Sequence, residues 1–188
     1  MSLNSILIAE YSADWPLNFE RLKAVYLQTL AGIKADVQHV GSTSVPGLAA
    51  KPVIDIDIII ESKEELPDVV AGLVTLGYEH VGDLGIAERE AFKPTRSTAP
   101  VSEIKHNLYV CIKGSVSLQN HLVFRDYLRL NADEAMEYGT LKKHLAQNYF
   151  ADIDMYVQHK TAFITSVLEK CGFSAKSLND IAEQNTLK

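Results

Sequence analysis

The strongest constraint in the sequence is a short segment in which acidic residues alternate with isoleucine. Residues 54–60 read Ile-Asp-Ile-Asp-Ile-Ile-Ile. Because successive side chains of a β-strand point to opposite faces, Asp55 and Asp57 share one face and the isoleucines at even positions share the other. Two carboxylates at this spacing bind divalent cations such as Mg²⁺ through their oxygens. The segment predicts a strand with one face in the core, and Asp55 and Asp57 as candidate catalytic residues and metal ligands.

A turn rich in small and hydroxyl residues precedes this strand. Gly41 leaves room for a ligand to approach the backbone, and Ser42, Thr43 and Ser44 add hydroxyl and N–H groups that suit a phosphate. His39 lies just before the turn, where its imidazole has two alternative roles, contact with a phosphate or orientation of the turn backbone. The serines likewise either bind phosphate or cap a short helix at residue 46, and both roles are compatible. The turn predicts a phosphate site beside the two acids.

A phosphate site in so acidic a chain needs nearby cations, since the formal net charge is −6. Arg125 and Arg129 are one helical turn apart, a spacing that suits either a polyanion or pairing with acids such as Asp126 or Glu134. We predict that the phosphate or nucleotide is contacted by several basic residues, namely Lys51, Arg89, Lys93, Arg125, Lys142 and Lys160.

Net charge, cysteine spacing and the lack of long apolar segments argue against several other classes of function. The net negative charge argues against general nucleic-acid binding, which requires a basic face. Cys111 and Cys171 lack a metal-binding spacing, so we expect reduced thiols in a cytoplasmic protein. No secretory signal and no apolar run of membrane-spanning length is found, so we expect no membrane association.

Periodicity along the chain predicts an α+β fold. We expect a helix ending near Gly32, a central strand at 36–40, the acidic strand, a helix from Ser62, and further strands at 78–81 and 105–112. Residues 82–101 are predicted to form a long loop, and the chain from 117 onward is predicted to be helical. The fold class is therefore a mixed β-sheet flanked by helices, with a core at 1–115 and a C-terminal helical lobe at 116–188, packed as one compact unit.

Two nested sequence patterns resemble known families. Gly41-Ser42, about ten residues, and then Asp55-Ile-Asp57 resemble the signature of the nucleotidyltransferase superfamily of the DNA polymerase β type. The longer segment 41–56, with both glycines, both prolines, a lysine and an aspartate, resembles the GrpB family, and this resemblance extends from about Ile6 to Leu168. It implies a nucleotidyltransferase-like fold that binds a nucleotide or phosphorylated small molecule with Mg²⁺, and transfer of a nucleotidyl group.

The chain departs from these patterns at its later strand. Catalytic sites of the polymerase β type add a third carboxylate there, but segment 105–110 contains no acid. The GrpB family tends to carry His-His-x-His in this stretch, whereas this chain has His106, Asn107 and Tyr109. His106 is therefore either a further metal ligand or a hydrogen-bonded, half-buried histidine. Asp57, whose position is often apolar in the family, is either a metal ligand or a hydrogen-bonded strand carboxylate.

Two functions remain open on this basis. The first is nucleotidyl transfer from a metal-bound triphosphate to an acceptor hydroxyl. The second is a non-catalytic module that binds a nucleotide or assists folding or assembly. The resemblance implies the second as well, because GrpB-like domains also occur fused to dephospho-coenzyme A kinase.

Overall fold

The computed structural model of the chain describes residues 6–149 and 152–186. In chain order, the helices and strands are α1 Asp14–Thr29, β1 Asp36–Val40, β2 Ile54–Ile60, α2 Leu66–Thr75, β3 Tyr78–Gly82, β4 Arg89–Pro94, β5 His106–Ile112, α3 Val116–Leu130, α4 Ala132–Asn148, α5 Ile153–Lys170 and α6 Ala175–Thr186. Short 3₁₀ turns occupy Ser42–Ser44 and Lys63–Glu65. The predicted α+β class is confirmed.

The five strands form one mixed sheet in the order β1-β2-β5-β4-β3. β2 and β5 are parallel neighbours inside the sheet, and every other neighbouring pair is antiparallel. The predicted range of the first strand is confirmed, but its prediction as a central strand is wrong because β1 lies at an edge. The register places Val40 opposite Asp55 and Asn107 beside Asp55.

One face of the sheet packs against α1 and α2 to form the main hydrophobic core. Ile54, Ile56 and Ile58 of β2 are buried there against Leu22 and Tyr26 of α1. Burying an aliphatic or aromatic side chain of this size contributes about 1.5–3 kcal/mol relative to leaving it exposed. The isoleucine face of β2 therefore fixes the orientation of the strand and directs Asp55 and Asp57 to the opposite face.

The opposite face of the sheet is covered by the C-terminal helices. A second apolar cluster joins α3 and α4 to the segment after the 3₁₀ turn, through residues such as Val45, Leu48, Leu128 and Tyr138. The division at residues 115 and 116 stays a prediction. The predicted ranges also include residues 1–5, 150, 151, 187 and 188, which lie outside the described residues.

The prediction of a long loop at 82–101 is wrong, because residues 89–94 form β4 between β3 and β5. Arg89, Ala91 and Phe92 of this strand are all buried. A buried arginine in a strand breaks the expected alternation of apolar and polar residues, which is why periodicity did not indicate a strand here. The described residues thus form five strands where four were predicted.

Within the two described segments of the chain, none of the helices is both long enough and apolar enough to span a bilayer.

Candidate functional site

The turn that follows β1 is packed directly against Asp55. Gly41 has φ 68°, and a Cβ built at this position would lie 2.2 Å from Asp55 Oδ2 and 2.9 Å from its Cγ. Glycine adopts a positive φ at little cost, and it has no Cβ that would collide with the carboxylate. Glycine at position 41 therefore lets the backbone of the turn approach a carboxylate on the neighbouring strand, whereas the sequence analysis expected the room at Gly41 to serve a ligand.

Asp55 is held in place by its neighbours on the sheet. Asn107 of β5 donates a hydrogen bond from Nδ2 to Asp55 Oδ1 over 2.7 Å. Burial raises the pKa of the Asp55 carboxyl, while the Asn107 hydrogen bond and the nearby charges of His121 and Lys160 act in the opposite direction. The carboxylate is thus fixed between the turn and Asn107, with cationic side chains around it.

Asp57 lies on the same face of β2 but is completely buried. His121 of α3 contacts it, with 2.8 Å between Nδ1 and Asp57 Oδ2. Burial disfavours the imidazolium, but the Asp57 carboxylate outweighs this and raises the pKa of His121. The other carboxylate oxygen, Oδ1, has no hydrogen-bond partner within the described part of the chain. A buried acceptor without a partner is uncommon in folded proteins, so this oxygen is a candidate ligand for an ion.

A cavity of about 370 Å³ opens on one side of Asp55. We call it the basic cavity, because Lys51, Lys142 and Lys160 all line it. Burial lowers the pKa of Lys142 to about 7, and the charge of Lys160 adds to the effect. Burial also lowers the pKa of Lys160, partly offset by Asp55. An anionic ligand would favour the protonated form of both amines, so the cavity suits such a ligand.

A second cavity of about 290 Å³ lies on the other side of Asp55 and shares Ser42, Asp55, Asn107, Tyr138 and Lys160 with the first. We call it the Arg89 cavity. The residues that line it but not the basic cavity include Arg89, Tyr109, Asn120, His121 and Asn185. The two cavities together form a cleft between the sheet and helices α3 to α6.

Three residues predicted to contact phosphate make hydrogen bonds within and around the turn. His39 Nε2 lies 3.0 Å from Thr43 Oγ1, and the Thr43 hydroxyl donates to the Val53 carbonyl. The His39 ring stacks on Phe19, on the core side of the sheet. The Ser44 hydroxyl donates to the Gly41 carbonyl over 2.6 Å. Of the hydroxyl residues in the turn, Ser42 lines both cavities and Thr43 lines one.

Two further predicted cations lie away from the cleft or are already paired. Arg125 donates to Gln38 Oε1 and to the His39 carbonyl, and it forms a bidentate contact with Asp126. Lys93 is exposed on β4 and lines neither the basic cavity nor the Arg89 cavity. The structure therefore does not bring these two side chains together with Asp55.

His106 lies on the core face of β5, opposite to the face that carries Asp55. Its Nδ1 donates to the Ile104 carbonyl over 2.6 Å, and its Nε2 contacts the Tyr78 hydroxyl, which in turn contacts Tyr26. Burial lowers the pKa of His106. The structure does not bring it together with the two acids, and His106 lies outside the candidate metal site.

The side chains around Asp55 fit one Mg²⁺ but not two. In phosphate-binding sites Mg²⁺ is usually held by one or two carboxylates together with phosphate and water oxygens. Asp55, which lines both cavities, and the unpaired Oδ1 of Asp57, which is completely buried and lines neither of the two, match that donor set. A third carboxylate beside Asp55 and Asp57 is not found among the described residues, which contain no group of three or more His, Cys, Asp or Glu residues that could hold a metal ion. Asn107 and Tyr109 instead lie beside the acids on β5.

Sequence reasoning did not identify His121 or Asn107 as partners of the two acids. His121 precedes Arg125 by four residues, so both lie on the same face of α3. That spacing was the available signal, since Arg125 was already a candidate. Asn107 was noted only as a departure from a histidine pattern. Its amide NH₂ group can nevertheless hold a carboxylate in place by donating a hydrogen bond.

Structural comparison defines the class of fold. The Cid1 poly(U) polymerase in a form bound to MgATP superposes with a TM-score of 0.52, with 19% sequence identity over 74% of this chain and 44% of that one. A likeness at this identity concerns the fold alone. The architecture is that of the nucleotidyltransferase fold.

Sequence comparison then defines the family. The model for the GrpB protein family matches residues 5–170, and the chain belongs to this family. A UPF0157 protein of Halalkalibacterium halodurans is 35% identical over 88% of this chain and 82% of its own length. The crystal structure of the conserved protein GrpB from Enterococcus faecalis has a TM-score of 0.74 and 34% identity, covering 92% of this chain and 98% of that one.

Proposed function

We propose that the cleft binds a nucleotide or a similarly phosphorylated small molecule together with one Mg²⁺. The observation that carries the proposal is the contact of the Gly41 turn with the Asp55 carboxylate, at the edge of a cavity lined by Lys51, Lys142 and Lys160. Phosphate oxygens would lie near the lysines, and Asp55 with Asp57 would hold the metal. The Mg²⁺ would neutralise phosphate charge and orient the phosphates.

The protein's own groups account for most of the binding. The three lysines attract the anion, and the low-dielectric walls formed by Tyr138 and Tyr156 strengthen that attraction. Ser42 adds a hydroxyl at the junction of the two cavities. This arrangement supports a ligand that carries several negative charges, such as a triphosphate.

Thermal unfolding with nucleoside triphosphates, with and without Mg²⁺, tests the proposal. A ligand at about one hundred times its Kd stabilises the folded state by about 2.7 kcal/mol. In a chain of this size that corresponds to a rise in Tm of roughly 5–10 °C. We expect a Mg²⁺-dependent rise in the wild type that is lost in Asp55→Asn.

Asp68→Asn is the matched control, because Asp68 is an exposed acid on α2, on the other face of the sheet. This variant should keep the full rise in Tm. The proposal is wrong if none of the common nucleoside triphosphates raises the Tm of the wild type in the presence of Mg²⁺.

Nucleotidyl transfer is the second candidate, and the paired acids next to a Gly-Ser turn favour it. In that reaction an acceptor hydroxyl oxygen bonds to the α-phosphorus and its proton passes to solvent. The bond from the α-phosphorus to the α,β-bridging oxygen breaks, and pyrophosphate leaves with the bonding electron pair. Release of pyrophosphate from bound ATP on addition of an acceptor, lost in Asp55→Asn, would support transfer.

A non-catalytic binding role is favoured by the residues at the third-carboxylate position, Asn107 and Tyr109. It is also consistent with the relatives. A protein of Mycolicibacterium paratuberculosis named dephospho-CoA kinase is 29% identical over 78% of this chain, which spans 41% of that protein. Nucleotide binding with no pyrophosphate release in any acceptor mixture would favour this role over transfer.

A further inference from the structure

Arg89 is a buried arginine whose Nε and Nη2 atoms lack a hydrogen-bond partner among the described residues. Its side chain is 4% exposed, and its Nε and Nη2 atoms are buried without an acceptor among the residues that the structure describes. The Tyr109 ring lies 4.4 Å from its Cζ atom and stabilises the charge, but it accepts none of the in-plane N–H groups. Because a guanidinium stays charged in proteins, these donors cannot be removed by deprotonation. They are available to an anion.

The two atoms without partners, Nε and Nη2 of Arg89, are placed so that they can bind one anion together. Nε and Nη2 lie on one edge of the guanidinium, the edge that binds a carboxylate or phosphate through two parallel hydrogen bonds. Arg125 shows this mode within the same protein, since its Nε and Nη2 contact the two carboxylate oxygens of Asp126. The corresponding edge of Arg89 lacks such a partner within the described chain.

The topology explains why this charge lies at the cleft. Arg89 pairs with Cys111 of β5, which places its side chain on the same face of the sheet as Asp57 and Tyr109. Asp57 is already paired with His121, so its charge is largely compensated. Arg89 therefore brings to the Arg89 cavity a positive charge that no acid among the described residues balances by contact.

We propose that the Arg89 cavity binds the carboxylate or phosphate group of a second small molecule. This molecule would lie beside the nucleotide, a placement that rests on the function proposed above. Each cavity has its own cations, because Lys51 and Lys142 line only the basic cavity while Arg89 and His121 line only the other. Asn120 and Asn185 add amide donors at the Arg89 cavity. A small acid or phosphate ester fits its volume of about 290 Å³.

Calorimetric titration with inorganic phosphate and with succinate, in the presence of saturating ATP and Mg²⁺, tests the subsite. We expect at least one of the two anions to bind, and its affinity to fall at least tenfold in Arg89→Gln. The preferred anion shows whether the second molecule carries a phosphate or a carboxylate. Lys93→Gln is the matched control, because it removes an exposed positive charge from the same strand and should leave anion affinity unchanged.

Lys160→Gln separates the subsite from the nucleotide site. We expect this variant to weaken ATP binding more than Arg89→Gln does. If no variant and no wild-type sample binds ATP, but phosphate binding alone still depends on Arg89, the subsite stands and the proposed function fails. If ATP binds while neither anion does, or if anion binding is the same in Arg89→Gln, the subsite is overturned.

Urea unfolding of the ligand-free variant gives a second, independent readout. An unpaired buried charge does not stabilise the fold, so the free energy of unfolding should be unchanged or higher in Arg89→Gln. Arg89→Lys keeps the charge but loses the two-donor edge, and should bind the anion with intermediate affinity. A marked loss of stability in ligand-free Arg89→Gln would show that Arg89 serves the fold, and would overturn the proposal.

Discussion

Gly41 is in a position that no other residue type occupies without strain. Its φ of 68° is unfavourable for a side chain, and a Cβ at this position would overlap the Asp55 carboxylate. Gly47 in the next turn has a similar φ of 79° but no atom within 4 Å of such a Cβ. Alanine substitutions at the two positions can therefore be compared, because both introduce backbone strain but only the one at Gly41 also collides with the carboxylate.

We predict that Gly41→Ala lowers the free energy of unfolding by about 2–4 kcal/mol, from strain and overpacking together. Gly47→Ala should cost only about 1–2 kcal/mol, from the left-handed backbone alone. Urea denaturation of both variants measures the difference. Equal losses in the two proteins would mean that Asp55 moves aside freely, contrary to its fixed position here.

Some residues of the site were predictable from the sequence, and others were not. The strand and the shared face of Asp55 and Asp57 were predictable, because strict alternation with isoleucine leaves one arrangement of the strand. The partners of the two acids were not found, since they come from elements distant in sequence. His121 is 64 residues from Asp57, and Asn107 is 52 residues from Asp55. Single-sequence periodicity contains no information about such pairs.

At the scale of elements, Arg125 joins α3 to β1. Its Nη1 atom donates to Gln38 Oε1 over 2.8 Å and to the His39 carbonyl over 3.0 Å. Arg129, one turn later, donates to the Ser44 carbonyl. The two arginines therefore position the strand and the turn that carry the Gly41 contact.

We predict that Arg125→Gln lowers the free energy of unfolding by roughly 1–3 kcal/mol, because buried acceptors lose their donor. Arg21→Gln is the control, since Arg21 forms an exposed ion pair with Glu103 and such pairs contribute at most about 1 kcal/mol. Chemical denaturation compares the two variants. A loss in Arg125→Gln no larger than in Arg21→Gln would contradict the joining role.

The sequence pattern did not predict strand β4, and the reason is a buried residue of the candidate site. Arg89 faces inward on this strand, so a charged residue takes a position that alternation reserves for an apolar one. Sequence patterns assume that arginine is exposed, and they fail where a buried charge is retained. The helices were easier, because apolar residues repeat every three or four positions from Trp15 to Leu30 and again beyond residue 117.

At the scale of the whole molecule, buried histidines make stability depend on pH. Burial lowers the pKa of His39 to about 4, and Arg129 and Arg125 add to the effect. In the unfolded chain the pKa is about 6.5. As pH falls below that value the unfolded state binds a proton first, so stability decreases between pH 6.5 and 4. The pKa of His121 is raised in the folded state, so its protonated form stabilises the fold throughout this pH range.

We predict that His39 accounts for a loss of up to about 3 kcal/mol between pH 6.5 and 4. The slope of unfolding free energy against pH should be shallower in His39→Gln than in the wild type. His144→Gln, which removes an exposed imidazole, is the control and should retain the wild-type slope. Denaturation curves at several pH values provide the measurement, and parallel slopes for wild type and His39→Gln would refute the assignment.

The overall plan of the molecule was largely predictable, because it depends on local periodicity. The mixed sheet and the helical C-terminal part follow from apolar patterns within single elements. The order of strands was not predictable in the same way. Placement of β1 at an edge and of β4 beside β5 depends on pairings between distant segments.

The close contact between Gly41 and Asp55 also has an entropic consequence. A carboxylate wedged between a turn and the Asn107 amide has already lost its rotamer freedom when the chain folds. A ligand that reaches it does not have to immobilise it again, so the ordering cost that accompanies binding at a mobile side chain is small. The Asp55 side chain is thus ordered when the chain folds, and ligand binding does not have to supply the free energy for that ordering.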